Sequence, residues 1–103
     1  MMNYSLNHVP KRTAKPRESG LTMVMDKGLS IREVEDMLDV SAPHIDIVKL
    51  GWATSFVTPN LKDKVKVYQD AGIPIYFGGT LFEAFVARDQ FEDYLRVLDQ
   101  YKL

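Results

Sequence analysis

The feature that most constrains the fold is a rhythm along the chain. Three short apolar runs, Leu21-Thr22-Met23-Val24-Met25-Asp26, Ile45-Asp46-Ile47-Val48-Lys49-Leu50 and Ile73-Pro74-Ile75-Tyr76-Phe77-Gly78, each break into a polar or glycine-rich turn. A segment of helical periodicity follows each one. Strands that alternate with helices lie parallel, and the turns that follow them share one rim of the sheet. The sequence therefore predicts an α/β chain of about three βα units, with parallel strands near 20–26, 45–50 and 73–77 and helices near 31–41, 59–71, 80–88 and 90–102.

Local signals set those bounds. Ser30-Ile31-Arg32-Glu33 is a capping box, Ile31, Val34 and Leu38 form an apolar stripe behind it, and the helix should stop before Pro43. Thr58-Pro59 supplies an N-cap and a first-turn proline for a helix carrying Leu61, Val65 and Tyr68, with Gly72 at its end. Thr80 and Glu83 match a second capping box, and Asp89 can cap a last helix striped by Phe91, Tyr94, Leu95 and Leu98.

At 103 residues the chain is one domain at most, and its net charge of −1 gives no reason to expect a nucleic-acid partner. The lack of cysteine removes disulfides and thiolate metal sites. No apolar run approaches the roughly 18 residues of a membrane span and no signal-peptide core is present, so a cytoplasmic protein is the expectation. Residues 1–19 read as an extended basic arm and 20–103 as the folded domain. In the arm, Lys15 and Arg17 either hold an anionic ligand or belong to a solvated tail, and composition favours the tail.

Lys49 is the anomaly within the second run. Alternation puts Ile45, Ile47 and Lys49 on one strand face and Asp46, Val48 and Leu50 on the other, so the lysine ends an apolar row. An ammonium there must reach an anion, a carboxylate or water. A structural ion pair or a snorkelling side chain is the commoner explanation; the company of two other rim turns is what points to a site.

Asp26, before Gly28, is either a hard-metal ligand or acid/base group, or a turn former, and spacing does not decide. Gly78-Gly79-Thr80 lets backbone amides approach a phosphate at a helix start, a weak signal alone, and Glu83 reads first as a cap. Trp52 lines a pocket or packs under its loop, and Thr54 and Ser55 bond an anion or nearby backbone. His8 and His44 suggest no zinc site, and no nucleophile elbow, Walker loop or dinucleotide fingerprint occurs.

Taken together, Lys15-Pro16-Arg17 with Gly20-Leu21-Thr22, then Asp26-Lys27-Gly28-Leu29, Asp46-Ile47-Val48-Lys49-Leu50-Gly51-Trp52 and Ile75-Tyr76-Phe77-Gly78-Gly79-Thr80-Leu81-Phe82-Glu83 resemble the phosphosulfolactate synthase family. The blocks keep the family's order and spacing from about Lys15 to the C-terminus. Ala53 departs from it, standing where the family pattern has glycine.

The resemblance implies a TIM-barrel lyase that, with magnesium, adds sulfite to phosphoenolpyruvate on the way to coenzyme M. It implies catalytic roles for Lys49, as an electrostatic or proton-donating group, and for Asp26. Asp26 and Glu83 become candidate Mg²⁺ ligands, Gly78, Gly79 and Thr80 candidates for the phosphate, and Arg17 and Lys27 candidates for carboxylate or sulfite. A barrel needs eight βα units and this chain supplies three. Two open sheet edges and an uncovered inner face bearing Ile45 and Ile47 are therefore expected. The expectation is therefore a truncated gene product, a proteolytic or other fragment missing the C-terminal barrel portion, or a chain that buries those surfaces by self-association as a homo-oligomer. Two alternatives remain: a non-catalytic relative, like the plant heat-stress-associated proteins of the same family, and an oligomerising partial-barrel module.

Overall fold

The computed structural model describes residues 2–103. Strand β1 (Met23–Asp26) is followed by helix α1 (Ile31–Ser41), strand β2 (Ile47–Leu50) by helix α2 (Leu61–Asp70), and strand β3 (Ile75–Phe77) by helices α3 (Gly79–Ala87) and α4 (Phe91–Tyr101). Short 3₁₀ turns occupy Ala42–His44 and Thr54–Phe56. Among the described residues no helix is long and apolar enough to cross a membrane.

The strands form one parallel sheet in the order β1-β2-β3, so sequence neighbours are also spatial neighbours. Registers align Val24, Val48 and Ile75 in one row and Asp26, Leu50 and Phe77 in the next. These rows face the helices. Val48, Leu50, Ile75 and Phe77 pack there with Val34 of α1, Val65 and Tyr68 of α2 and Leu81 of α3. Burying side chains of this size contributes about 1.5–3 kcal/mol each, which lets strands of three and four residues hold their place.

The opposite face carries Met23 beside Ile47, then a row of Met25, Lys49 and Tyr76, and no helix covers it. All four helices thus lie to one side, an arrangement compatible with an arc of a βα barrel. Ile45 does not belong to the open face as alternation predicts. It follows the 3₁₀ turn, lies outside the strand and is buried in the core, whereas Ile47 is only half-buried.

Helix α1 keeps its predicted bounds because its capping box forms: the Ser30 hydroxyl accepts from the Glu33 amide and the Glu33 carboxylate accepts from the Ser30 amide. Three other predicted caps do not form. Asn60, in the left-handed region, precedes α2, while the Thr58 hydroxyl turns back to donate to the Thr54 carbonyl. Gly78 is the N-cap of α3, which places Thr80 inside the first turn and leaves Glu83 without a capping role. Gln90, and not Asp89, precedes α4.

Residues 2–22 contain neither helix nor strand. With this arm the radius of gyration is 16.2 Å, above the roughly 13 Å of a compact domain this long. The arm is tied down near its end, where Arg12 donates to the Thr22 hydroxyl at 2.7 Å.

Candidate functional site

The parallel sheet sends the loops after all three strands to one rim. There a cavity of about 230 Å³ is lined by Met25, Lys49, Gly51, Trp52, Gly78, Gly79 and Thr80. The fold thus brings together four predicted site residues, Lys49, Gly78, Gly79 and Thr80, from the ends of β2 and β3.

Their closeness has a local cause. The Gly78 amide donates to the Leu50 carbonyl at 3.0 Å, holding the start of α3 against the end of β2. The Lys49 side chain then passes over Gly78, where an added Cβ would lie 3.3 Å from Cδ and 3.4 Å from Cγ. Only glycine leaves that path fully open. As the N-cap, Gly78 offers α3 no side-chain acceptor, so the Gly79 and Thr80 amides at the exposed first turn have no intrahelical partner. Those amides and the positive end of the helix favour an anion.

Lys49 is half-buried and, among the described residues, has neither an ion pair nor a hydrogen-bond partner. A structural ion pair therefore does not account for it.

Asp26 lies elsewhere. It sits one register row beyond Met25 and on the opposite face from Lys49, fully buried between the sheet and α2. Its Oδ1 accepts from the Gly28 and Leu29 amides at 2.8 Å each, Tyr68 donates to Oδ2 at 2.7 Å, and Lys64 Nζ is 3.0 Å from both oxygens. Burial pushes this carboxyl up, but the bonds from Leu29, Tyr68, Gly28 and Lys64 outweigh it and hold its pKa below the usual aspartate value. Burial first, and then the bond to Asp26, push the Tyr68 hydroxyl well above the usual tyrosine value. Of the two readings left open by spacing, the geometry supports the turn former: Asp26 closes the loop after β1 and anchors α2.

Lys64 and Tyr68 are the residues that sequence reading missed as an ionic cluster. The signal was present, since Lys64 falls three residues after Leu61 and four before Tyr68, on the buried stripe of α2.

Arg17 is at the other end of the sheet. Its guanidinium donates to Asp46 Oδ1 at 2.7 Å and to the Pro43 carbonyl at 3.0 Å, just before β2 begins. The Thr22 amide first, against the effect of burial, and then Arg17 hold the Asp46 carboxyl below its usual pKa. Arg17 thus secures the arm to the N-terminal edge and does not reach the rim cavity.

Lys27 does belong to the rim, but it lines a neighbouring cavity of about 680 Å³ with Gly28, Arg32 and Thr58. Its Nζ lies 5.8 Å from the centroid of the Trp52 ring, so the indole stands beside both spaces. Glu83 is exposed on α3. Magnesium requires converging oxygen ligands. Asp26 is engaged with four donors and Glu83 stands apart from it; among the described residues no three acidic or histidine side chains gather as a metal site. The donor set around Lys49 does not fit that ion.

Comparison with known proteins agrees with the rim blocks. The sequence model of a family described as (2R)-phospho-3-sulfolactate synthase (ComA) matches residues 10–103. A protein named phosphosulfolactate synthase from Bacillus subtilis (strain 168) is 36% identical over 96 residues, covering 93% of this chain and 38% of the relative. One of the same name from Methanocaldococcus jannaschii is 46% identical over 80 residues, 76% of this chain and 32% of the relative. A third, from Methanothermobacter thermautotrophicus, is 37% identical over 89 residues, 84% of this chain and 34% of the relative. The chain spans about a third of the length of the curated relatives it matches.

Proposed function

The chain belongs to the phosphosulfolactate synthase family, and from that premise we propose that it forms the first arc of a (β/α)₈ lyase adding sulfite to phosphoenolpyruvate. Three adjacent parallel strands with every helix on one side support the barrel reading. Further βα units, from a longer chain or from neighbouring copies, would cover the open edges and the row of Met25, Lys49 and Tyr76. Barrel enzymes work at the rim to which the strands point, and that is where the Lys49 cavity lies.

In this reading the sulfur lone pair of sulfite attacks the methylene carbon of the enol phosphate and forms the carbon–sulfur bond. The π electrons move onto the adjacent carbon and its carboxylate, and a proton delivered to that carbon completes the addition. Negative charge grows on the carboxylate side during the first step. Lys49 meets that charge, while the Gly79 and Thr80 amides hold the phosphate so that its position does not change as the charge moves. A single well-placed donor of this kind is worth about 10²–10³ in turnover.

The observation that carries the proposal is the half-buried, unpaired Lys49 beside the free amides of α3. The test is calorimetric titration of the 103-residue chain with phosphoenolpyruvate, repeated on Lys49→Met, followed by an assay of sulfite-dependent phosphoenolpyruvate consumption. The wild type should bind and the variant should bind at least tenfold more weakly, about 1.4 kcal/mol. Equal binding by both proteins would remove Lys49 from the site. Binding without sulfite-dependent consumption would confine this chain's role to the anion subsite, as in a non-catalytic relative.

A further inference from the structure

Lys49 and the α3 amides answer to the charged groups of a ligand, and neither reads its carbon end. The other wall is chemically different. Met25 and the Trp52 indole line it, and Trp52 Nε1 lies 3.1 Å from Met25 Sδ. That contact ties the ring back toward β1.

The backbone supports a positioned ring. Trp52 and Ala53 have φ values of 61° and 58°, two successive left-handed residues directly after Gly51. For a bulky side chain that conformation is uncommon and costs about 1–2 kcal/mol. Gly51 leaves room for the arrangement: an added Cβ there would stand only 2.9 Å from Met25 Cγ. Yet Trp52 remains 66% exposed, so the ring does not repay the strain by filling the core. Strain held without a core role points to function.

We propose that Trp52, backed by Met25, is the specificity-determining residue of the Lys49 cavity, selecting an oxyanion that carries an unsaturated carbon end over a compact inorganic one. This rests on the reading of the cavity as a phosphate-ester site. The planar methylene end of an enol phosphate can lie on the indole and thioether without losing a hydrogen bond. A free phosphate has no carbon end to lay on that wall and gains nothing from it. Lys27, whose Nζ lies 5.8 Å from the ring centroid and which is not among the residues lining the cavity, polarises the indole.

Titration calorimetry with phosphoenolpyruvate and with inorganic phosphate, on wild type, Trp52→Gly and Trp52→Phe, tests the proposal. Glycine suits the positive φ, so the Trp52→Gly chain should fold, which circular dichroism verifies. The wild type should prefer phosphoenolpyruvate about tenfold or more, the range that one extra carbon contact commands. Trp52→Gly should lose most of that preference while its affinity for phosphate stays nearly constant, and Trp52→Phe should restore it.

Because Trp52 is the chain's one tryptophan, its emission should also shift blue with phosphoenolpyruvate and not with phosphate. Equal weakening of both ligands in Trp52→Gly, or no initial preference in the wild type, would overturn the selective wall while leaving the anion site intact. Loss of both ligands in Lys49→Met reports on the site alone. Failure of the wild type to bind either anion would overturn site and wall together.

Discussion

Replacing Asp26 by asparagine leaves the Lys64 ammonium, 2% exposed, with no carboxylate in a space sealed by β1 and α2. The asparagine carbonyl can still accept from the Gly28 and Leu29 amides, so the loop after β1 need not open. The cost falls on the buried charge. Breaking a buried ion pair from one side costs about 3–5 kcal/mol, a large part of the 5–15 kcal/mol that folds an ordinary domain. The converse change, Lys64→Met, should be milder. Asp26 then keeps three donors, the two amides at 2.8 Å and Tyr68 at 2.7 Å, and loses one charged contact worth about 1.5–3 kcal/mol. Urea unfolding followed by far-ultraviolet circular dichroism measures both, and the asparagine variant should lose about 2 kcal/mol more than the methionine variant. Equal losses, or a loss below about 1 kcal/mol for Asp26→Asn, would show that Lys64 reaches water and that the cluster does not hold β1 to α2.

Three further outcomes follow from the same geometry. Ala53→Gly relieves a left-handed residue at φ 58° and should raise stability by about 0.5–1 kcal/mol, seen as a higher melting temperature; a decrease would mean that the Ala53 methyl's packing outweighs the strain. Gly78→Ala, at the permissive φ of −71°, should melt like wild type but bind phosphoenolpyruvate more weakly, because the new methyl presses on Lys49; unchanged affinity would show the lysine free to move aside. Stability against pH should be flat near neutrality and fall on both flanks. The folded-state pKa values of Asp26 and Asp46 are lowered from 3.8, so their contribution is full above that value and is lost as pH falls through the lowered values. Tyr68 is raised from 10.0, so its contribution is full below pH 10 and is lost as pH rises toward its folded value; Tyr68→Phe should flatten that alkaline limb in urea titrations at fixed pH, and an unaltered limb would refute the assignment.

Element types were legible because local and global signals agreed. At α1 the capping box fixed both sequence pattern and structure. Elsewhere, caps were misread where the backbone chose a left-handed residue, as at Asn60, or a bare glycine, as at Gly78. A threonine two residues away looks equally good in sequence, and only the chain's path decides. The strands came out shorter than the apolar runs because a ladder extends only as far as its partner does, and β3 pairs over Ile75–Phe77. Within the site, the nearness of Lys49 to the Gly78-Gly79-Thr80 turn was legible because the lysine stands near the end of one parallel strand and the turn follows its neighbour. Asp26 also stands at the end of a strand, but alternation sends it to the other face, a distinction that matters only once the sheet has a covered side. The place of Arg17 was not legible, because an irregular arm has no period from which to tell which end of the sheet it meets.

The Asp26 cluster also bears on the order of assembly. Each strand pairs with its sequence neighbour, a modest loop closure, and in a growing polypeptide β1 and β2 emerge before β3. Yet Lys64 and Tyr68 lie 38 and 42 residues after the carboxylate they satisfy, beyond the end of β2. Until α2 arrives, a β1–β2 pair has an aspartate facing its forming core with only the loop amides as partners. The docking of α2 is what completes the hydrogen bonds of that carboxylate and brings its counter-charge, so the buried face of the β1–β2 pair is satisfied only once the second helix is in place.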